Sequence, residues 1–198
     1  MKTQEIPSAK VSISIVIFCA LLLLLSACNG KKEETKTGAK VAVADVKPPE
    51  IDLHTAVVTN NIEAVNQHIA AGSNLNERDP FGGSSPLITA AVFGKTEMAK
   101  VLIDAGADLN FQNNDGSTAL ITAAFFCRPE IVKLLLTNGA DKSIKNKYGA
   151  TAFQSVTSPF SEVKDAYDMM GKMLEPMGLK LDYAYIEKTR PEIAEMVK

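Results

Sequence analysis

The chain has 198 residues, 46% of them apolar and 22% charged, with 21 Lys and Arg against 23 Asp and Glu and a formal charge of −2. That length accommodates one ordinary domain plus targeting segments. The charge balance excludes a nucleic-acid binder, because neutralising phosphates takes clustered Lys and Arg. Residues 1–27 read as a secretory signal peptide. Lys2 and Lys10 give a basic start, an apolar run extends from Val11 to Leu25, and the small residues Ser26 and Ala27 precede Cys28. The run, about 15 residues, falls short of the roughly 20 that a membrane span needs. Removing residues 1–27 takes away Lys2, Lys10 and Glu5 and leaves a charge of −3.

Leu25-Ser26-Ala27-Cys28 resembles the lipobox of bacterial lipoproteins. In that family the cysteine is acylated and becomes the new N-terminus. The resemblance implies lipid on Cys28 and firm attachment, since two or more acyl chains hold a protein stably where one does not. Asn29 stands where an aspartate would mark inner-membrane retention, which points to the outer membrane, on its periplasmic or surface face. Lys32-Glu33-Glu34 is similar to the acidic surface-export signals of some bacterial lipoproteins. Residues 28–49 have few large apolar side chains, end in Val46-Lys47-Pro48-Pro49, and read as a flexible tether. Square-root scaling gives such a tether a reach of about 25 Å.

A repeat begins at residue 50. Leu53-His54-Thr55-Ala56, Leu87-Ile88-Thr89-Ala90, Leu120-Ile121-Thr122-Ala123 and Phe153-Gln154-Ser155-Val156 start 34, 33 and 33 residues apart. Gly72, Gly106 and Gly139, at the head of the downstream segments, are 34 and 33 apart. Two independent markers therefore share one period. The pattern resembles the ankyrin repeat, and Leu53-His54-Thr55-Ala56 matches that family's L-H-x-A element. The resemblance implies an all-α solenoid of about four helix–turn–helix repeats with short β-hairpin loops, over 50–76, 77–110, 111–144 and 145–182. Residues 183–198 are expected to form a C-terminal cap.

Residue by residue the pattern has physical reasons. Pro86 and Pro129 stand at helix starts, where the missing N–H costs nothing. Asn60 and Gly94 occupy the turn between paired helices, where a left-handed residue is needed. Met98, Val101 and Leu102, and again Ile131, Leu134 and Leu135, fall at i, i+3 and i+4 on the second helices. Gln67 and His68 replace the apolar pair in the first repeat, which reads as capping with His68 in solvent. Gly139 and Gly178 are 39 apart, so the fourth unit is expected to carry six extra residues around Ser158 to Asp168, with Met170, Met173 and Leu174 as its second-helix face.

Chemistry is sparse. His54 reads as a structural ligand of neighbouring loop backbone. Cys127 is the one cysteine left in the folded part, a buried or loop thiol or an intermolecular one. One cysteine and two histidines do not make a zinc site. Gly82-Gly83-Ser84-Ser85 lacks the lysine of a phosphate loop and reads as a hairpin. No cofactor, metal or small-molecule substrate is expected, and the chain reads as a non-enzyme. An enzyme alternative would place its site on Ser161, Glu162, Lys164 and Asp165 in the inserted region.

Ankyrin proteins meet partners with hairpin tips and with exposed positions near the end of each first helix. Carried over, that implies Val92, Phe93, Phe125 and Phe126 on the helices, and Phe81, Asn114, Asp115, Lys147 and Tyr148 on the loops. Aromatic rings at a groove centre are typical partner anchors. The same rings pack between repeats in the competing reading, and Phe125 and Phe126 stay open between the two. The function so read is a membrane-anchored protein–protein interaction module, a scaffold or adaptor for an unknown envelope or extracellular protein. An immunity or antitoxin role is the alternative.

Overall fold

The computed structural model describes residues 46–198. The signal peptide read over 1–27, Cys28 and the tether up to residue 45 lie outside the described residues. Three helix pairs come first: α1 (Leu53–Val58) with α2 (Ile62–Ala70), α3 (Pro86–Phe93) with α4 (Thr96–Asp104), and α5 (Ala119–Phe125) with α6 (Pro129–Thr137). Then follow α7 (Gln154–Thr157), α8 (Phe160–Leu174), a 3-10 turn (Glu175–Met177) and α9 (Tyr183–Val197). The described residues contain no strand, and no helix among them is long and apolar enough to cross a membrane.

Local chemistry starts each first helix at one register. Asp52, Ser85 and Thr118 cap α1, α3 and α5 by accepting from the N–H three residues on, and Thr151 Oγ1 does the same for Gln154 ahead of α7. Each cap satisfies one orphan N–H of a first turn. The turn between paired helices passes through a left-handed residue at Asn60 (φ 61°), Gly94 (φ 64°) and Cys127 (φ 52°). The third repeat thus places a buried thiol where a glycine or asparagine is the low-strain choice.

First helices α1, α3, α5 and α7 stack in one row, and second helices in another. Leu87, Ala90, Ala91, Leu120, Ala123 and Ala124 are buried between them, and the alanines let the rows approach closely. In the second row, Met98 and Leu102 of α4 and Ile131 and Leu135 of α6 are fully buried. This is the ankyrin-repeat fold. The loops expected as β-hairpins are hydrogen-bonded turns, closed by Asp79 N to Ser84 O, Asn113 N to Ser117 O and Asn146 N to Ala150 O. They are too short to pair as a ladder.

The fourth repeat departs from expectation. The helix that packs on α6 and α7, completing the second row, is α9 and not the segment holding Met170, Met173 and Leu174. Helical pairing therefore runs past residue 182, and Tyr183–Val197 is the outer helix of the fourth repeat and not an added cap. Paired helices elsewhere are joined by two or three residues, whereas residues 158–182 separate α7 from α9. This 25-residue connection thus carries an insertion of 22 or 23 residues, which contains α8. Met173 is exposed on it, and Met170 and Leu174 are only half-buried. The buried face of α9 is Ile186, Thr189, Arg190, Ile193 and Val197. Arg190, at i+4 from Ile186, takes the place held by Leu102 and Leu135 in the inner repeats.

His68 corrects a second expectation. It is buried in α2, with Nδ1 3.0 Å from Ser73 Oγ and Nε2 2.8 Å from Ile51 O. It ties the segment entering the first repeat to the turn leaving it. His54 bonds Thr89 Oγ1 at 3.0 Å and Glu77 O at 3.3 Å, joining the first repeat to the second.

Candidate functional site

Two surfaces hold the side chains of interest: the rim formed by the C-terminal ends of the first helices, and the row of loop tips at their opposite ends.

The rim is organised by a need every helix has. The last carbonyls of a helix lack intrahelical donors. Arg128 Nη2 donates to Val92 O at the end of α3 (3.2 Å). Tyr167 Oη of α8 donates to Phe125 O at the end of α5 (2.5 Å). Arg190 Nη2 donates to Ser158 O (2.7 Å) and Nη1 to Ser155 O (3.3 Å) at the end of α7. Arg190 Nη1 also donates to Tyr167 Oη (3.0 Å), so one chain of hydrogen bonds runs from α9 through the insertion to α5. Burial pushes the Tyr167 phenol up to about 12, against the opposing charge of Arg190, so the ring stays a neutral donor at any physiological pH. Burial likewise pushes the Cys127 thiol up to about 11, and its Sγ lies 3.6 Å from Ile186 O under α9. A thiol so placed is a poor nucleophile.

These contacts decide the helix-end residues. Phe126 is 2% exposed and packs edge-on against Phe125, with centroids 5.1 Å apart. It faces no partner. Phe125 is half-buried and stacked on Tyr167, with centroids 4.3 Å apart and planes at 16°. The inserted helix has taken the place at Phe125 that an external ligand would use. Val92 and Phe93 are half-buried, and Phe93 lines an open depression together with Met177, Gly178, Leu179 and Lys180 of the insertion. The insertion therefore covers the rim at the third repeat, and Val58 of the first repeat lines the same depression as Phe93.

Ser161, Glu162 and Asp165 are exposed on α8, and Lys164 bonds Asp168 Oδ2 at 2.8 Å. They are spread along a solvent face and do not converge. Among the described residues no three His, Cys, Asp or Glu side chains are placed to hold a metal ion.

The loop tips are open. Phe81 is 86% exposed and Tyr148 80%, and Asn114, Asp115 and Lys147 are exposed between them. The loops that carry these residues are nonetheless fixed. Asp79 accepts from the N–H groups of Phe81 (2.7 Å), Gly82 (2.8 Å) and Ser84 (2.7 Å). Partial burial opposes ionisation of Asp79, but those three N–H groups outweigh it and hold the carboxyl below its ordinary range. Asn113 accepts from Asp115 and Ser117, and Asn146 from Tyr148 and Ala150. Neighbouring tips are tied together by Asn114 N to Gly82 O (2.9 Å) and Lys147 N to Asp115 O (2.8 Å). Arg78 bridges Gly83 O and Gln112 O while its guanidinium lies 4.6 Å from the Phe111 centroid. Two large rings are thus held in water on a rigid, preorganised edge. The anchoring roles of Asp79, Asn113 and Asn146 were visible as Asx residues two before each tip. That of Arg78 had no local signal.

Comparison with known proteins agrees with this architecture. A family model described as ankyrin repeats, in three copies, matches residues 53–146. Protein phosphatase 1 regulatory subunit 27 of Homo sapiens is 36% identical over 78 residues, 39% of this chain and 50% of that protein. Glycerophosphocholine phosphodiesterase gde1 of Schizosaccharomyces pombe is 30% identical over 100 residues, 48% of this chain but only 9% of the enzyme. The chain thus spans about half the length of the regulatory subunit and a small part of the enzyme. The solved ankyrin repeat domain of Bcl-3, a member of the IkappaB protein family, superposes with a TM-score of 0.51 at 34% identity. That match covers 52% of this chain and 45% of the other.

Proposed function

We propose that this ankyrin-repeat chain is a protein-binding module of a bacterial envelope, anchored through lipid on Cys28 and meeting one protein partner with its loop tips. The observation that carries the reading is the pair of exposed rings, Phe81 and Tyr148, on loops already fixed by Asp79, Asn113 and Asn146. Ordering is complete before the partner arrives, so contact area converts to affinity with little entropic loss. Asn114, Asp115 and Lys147 supply polar contacts between the two anchors. The similarity to a regulatory subunit supports a role exercised through a protein partner. The lipobox-like Leu25-Ser26-Ala27-Cys28 and the polar stretch that follows support the anchor, and they make an envelope or extracellular protein the natural partner.

Capture from envelope extract tests it, with the wild-type chain and a Phe81→Ala/Tyr148→Ala variant as baits. Loss of two anchors of hot-spot type, each about 2 kcal/mol, is expected to remove the principal captured protein from the variant. Both rings lie outside the core, so the variant keeps the wild-type melting temperature. The same protein captured equally by both baits refutes the tips as the binding surface.

A further inference from the structure

The insertion concentrates one side chain that its packing does not explain. Four of the chain's seven methionines lie within nine residues, at 169, 170, 173 and 177. Met169 is 63% exposed and Met173 59%, and Met170 is half-buried. None of the four belongs to the hydrophobic core or to the apolar side chains packed against it; α8 reaches the core with Phe160, Val163 and Tyr167 instead. An apolar side chain left in water contributes nothing by burial, so what distinguishes these residues from leucine is the thioether sulfur.

Helix geometry brings three of these sulfurs within reach of one another. Met169 and Met173 stand at i and i+4 on α8, and Met170 and Met173 at i and i+3. Each pair occupies adjacent turns of one face, with Cβ atoms about 5–6 Å apart. Viewed along the axis, Met173 falls between Met169 and Met170. The sulfur lies two bonds beyond Cβ on an unbranched, freely turning stem, so the three thioethers can converge on one ion without backbone movement. The opposite side of α8 holds Tyr167 against Phe125 and Gly171 beside Leu181, which leaves the methionine face to water. Met177 lies past the end of α8, in the depression beside Phe93. The surrounding charge suits a cation. Over residues 160–177, Glu162, Asp165, Asp168 and Glu175 stand against Lys164 and Lys172, a net charge of −2, and Lys164 is engaged by Asp168. Thioether sulfur is a neutral, soft donor that selects Cu(I), whereas imidazole suits Zn(II) and oxygen ligands suit Mg(II) and Ca(II).

We infer that Met169, Met170 and Met173 form a three-thioether site for a soft monovalent metal ion, Cu(I), on the outer face of the inserted helix. A thioether carries no proton to release. The site therefore holds its ion at acid pH, where histidine and thiolate ligands are lost to protonation. The inference is independent of the loop tips, which contain none of these residues.

Magnetic resonance of isotope-labelled methionine methyl groups in the full chain tests it, with Ag(I) as the redox-inert counterpart of Cu(I) and Zn(II) as the contrast. Each methyl signal reports its own residue, so an ion taken elsewhere by a cysteine is told apart. Saturable shifts at Met169, Met170 and Met173 are expected with Ag(I), with Met98 and Met196 unmoved and no response to Zn(II). Cu(I) kept reduced by ascorbate is expected to shift the same three signals. The affinity is expected to be the same at about pH 5.5 and about pH 7.5, on either side of the histidine range. Met169→Leu/Met173→Leu keeps the apolar face and the melting temperature, since both side chains are exposed, and is expected to abolish the response of Met170. Shifts that do not saturate, an equal response to Zn(II), affinity that falls at the lower pH, or a Met170 response that survives in the double variant overturns the inference.

Discussion

Deleting Tyr183–Lys198 is expected to unfold the third and fourth repeats and not merely to trim an end. Helix α9 buries Ile186, Ile193 and Val197 against α6 and α7. Each such side chain contributes about 2 kcal/mol by burial, about 6 kcal/mol together, before the matching faces of Ile131 and Leu135 are counted. A domain of this size has only about 5–15 kcal/mol in all. A solenoid also depends on its end repeat to keep the next face from water. The deletion is expected to remove far more helical circular dichroism than its own residues carry, and to abolish a single cooperative melt. If instead α8 were the outer helix of the fourth repeat, the truncated chain would keep the remaining helicity and melt within a few degrees of the parent.

Arg190→Met is expected to produce the largest loss of any single substitution at the rim. Arg190 is 3% exposed, has no acidic partner among the described residues, and donates to Ser155 O, Ser158 O and Tyr167 Oη. Methionine keeps much of the stem but leaves two part-buried helix-end carbonyls without that donor. At about 1–3 kcal/mol for each stranded group the cost is about 3 kcal/mol, offset only by the removal of a buried charge. For a domain of this size that lowers the melting temperature by about 6–12 °C. Arg190→Lys, with three donors on one nitrogen and no planar fork, is expected to recover part of the loss. A variant melting within 2 °C of wild type would show that the guanidinium contributes nothing net. Because Arg190 also holds Tyr167, proteolysis within residues 158–182 is expected to quicken in Arg190→Met.

What the sequence makes legible is what repeats locally. The period of 33 reports caps, turn residues and close-packed alanines that each repeat needs for itself, and those recur at fixed offsets. The fourth outer helix is not legible in the sequence, for a physical reason. Met170, Met173 and Leu174 have the right helical spacing, but spacing says only that a helix has a face and not which neighbour covers it. The true helix was hidden because Arg190 stands where Leu102 and Leu135 stand, and a charged residue there breaks the apolar pattern. His68 hides in the same way at the other end of the solenoid. In both terminal repeats a polar side chain at the buried position is satisfied by carbonyls that no periodicity reveals. Phe125 and Phe126 illustrate the other limit. Their positions along the helix follow from alignment, but the exposure of Phe125 depends on Tyr167, some forty residues away in sequence. The loop tips were readable because Phe81 and Tyr148 are fixed by Asx residues two positions before them, and nothing distant covers them.

Hydrogen exchange on the full chain, with and without the captured protein, reads directly which surface meets the partner. Protection on binding is expected at the backbone of residues 81–84, 113–117 and 146–149, the three tips tied together by Asn114 N to Gly82 O and Lys147 N to Asp115 O. Unchanged exchange at all three tips, with protection confined to α8 or to the convex second helices, would contradict it.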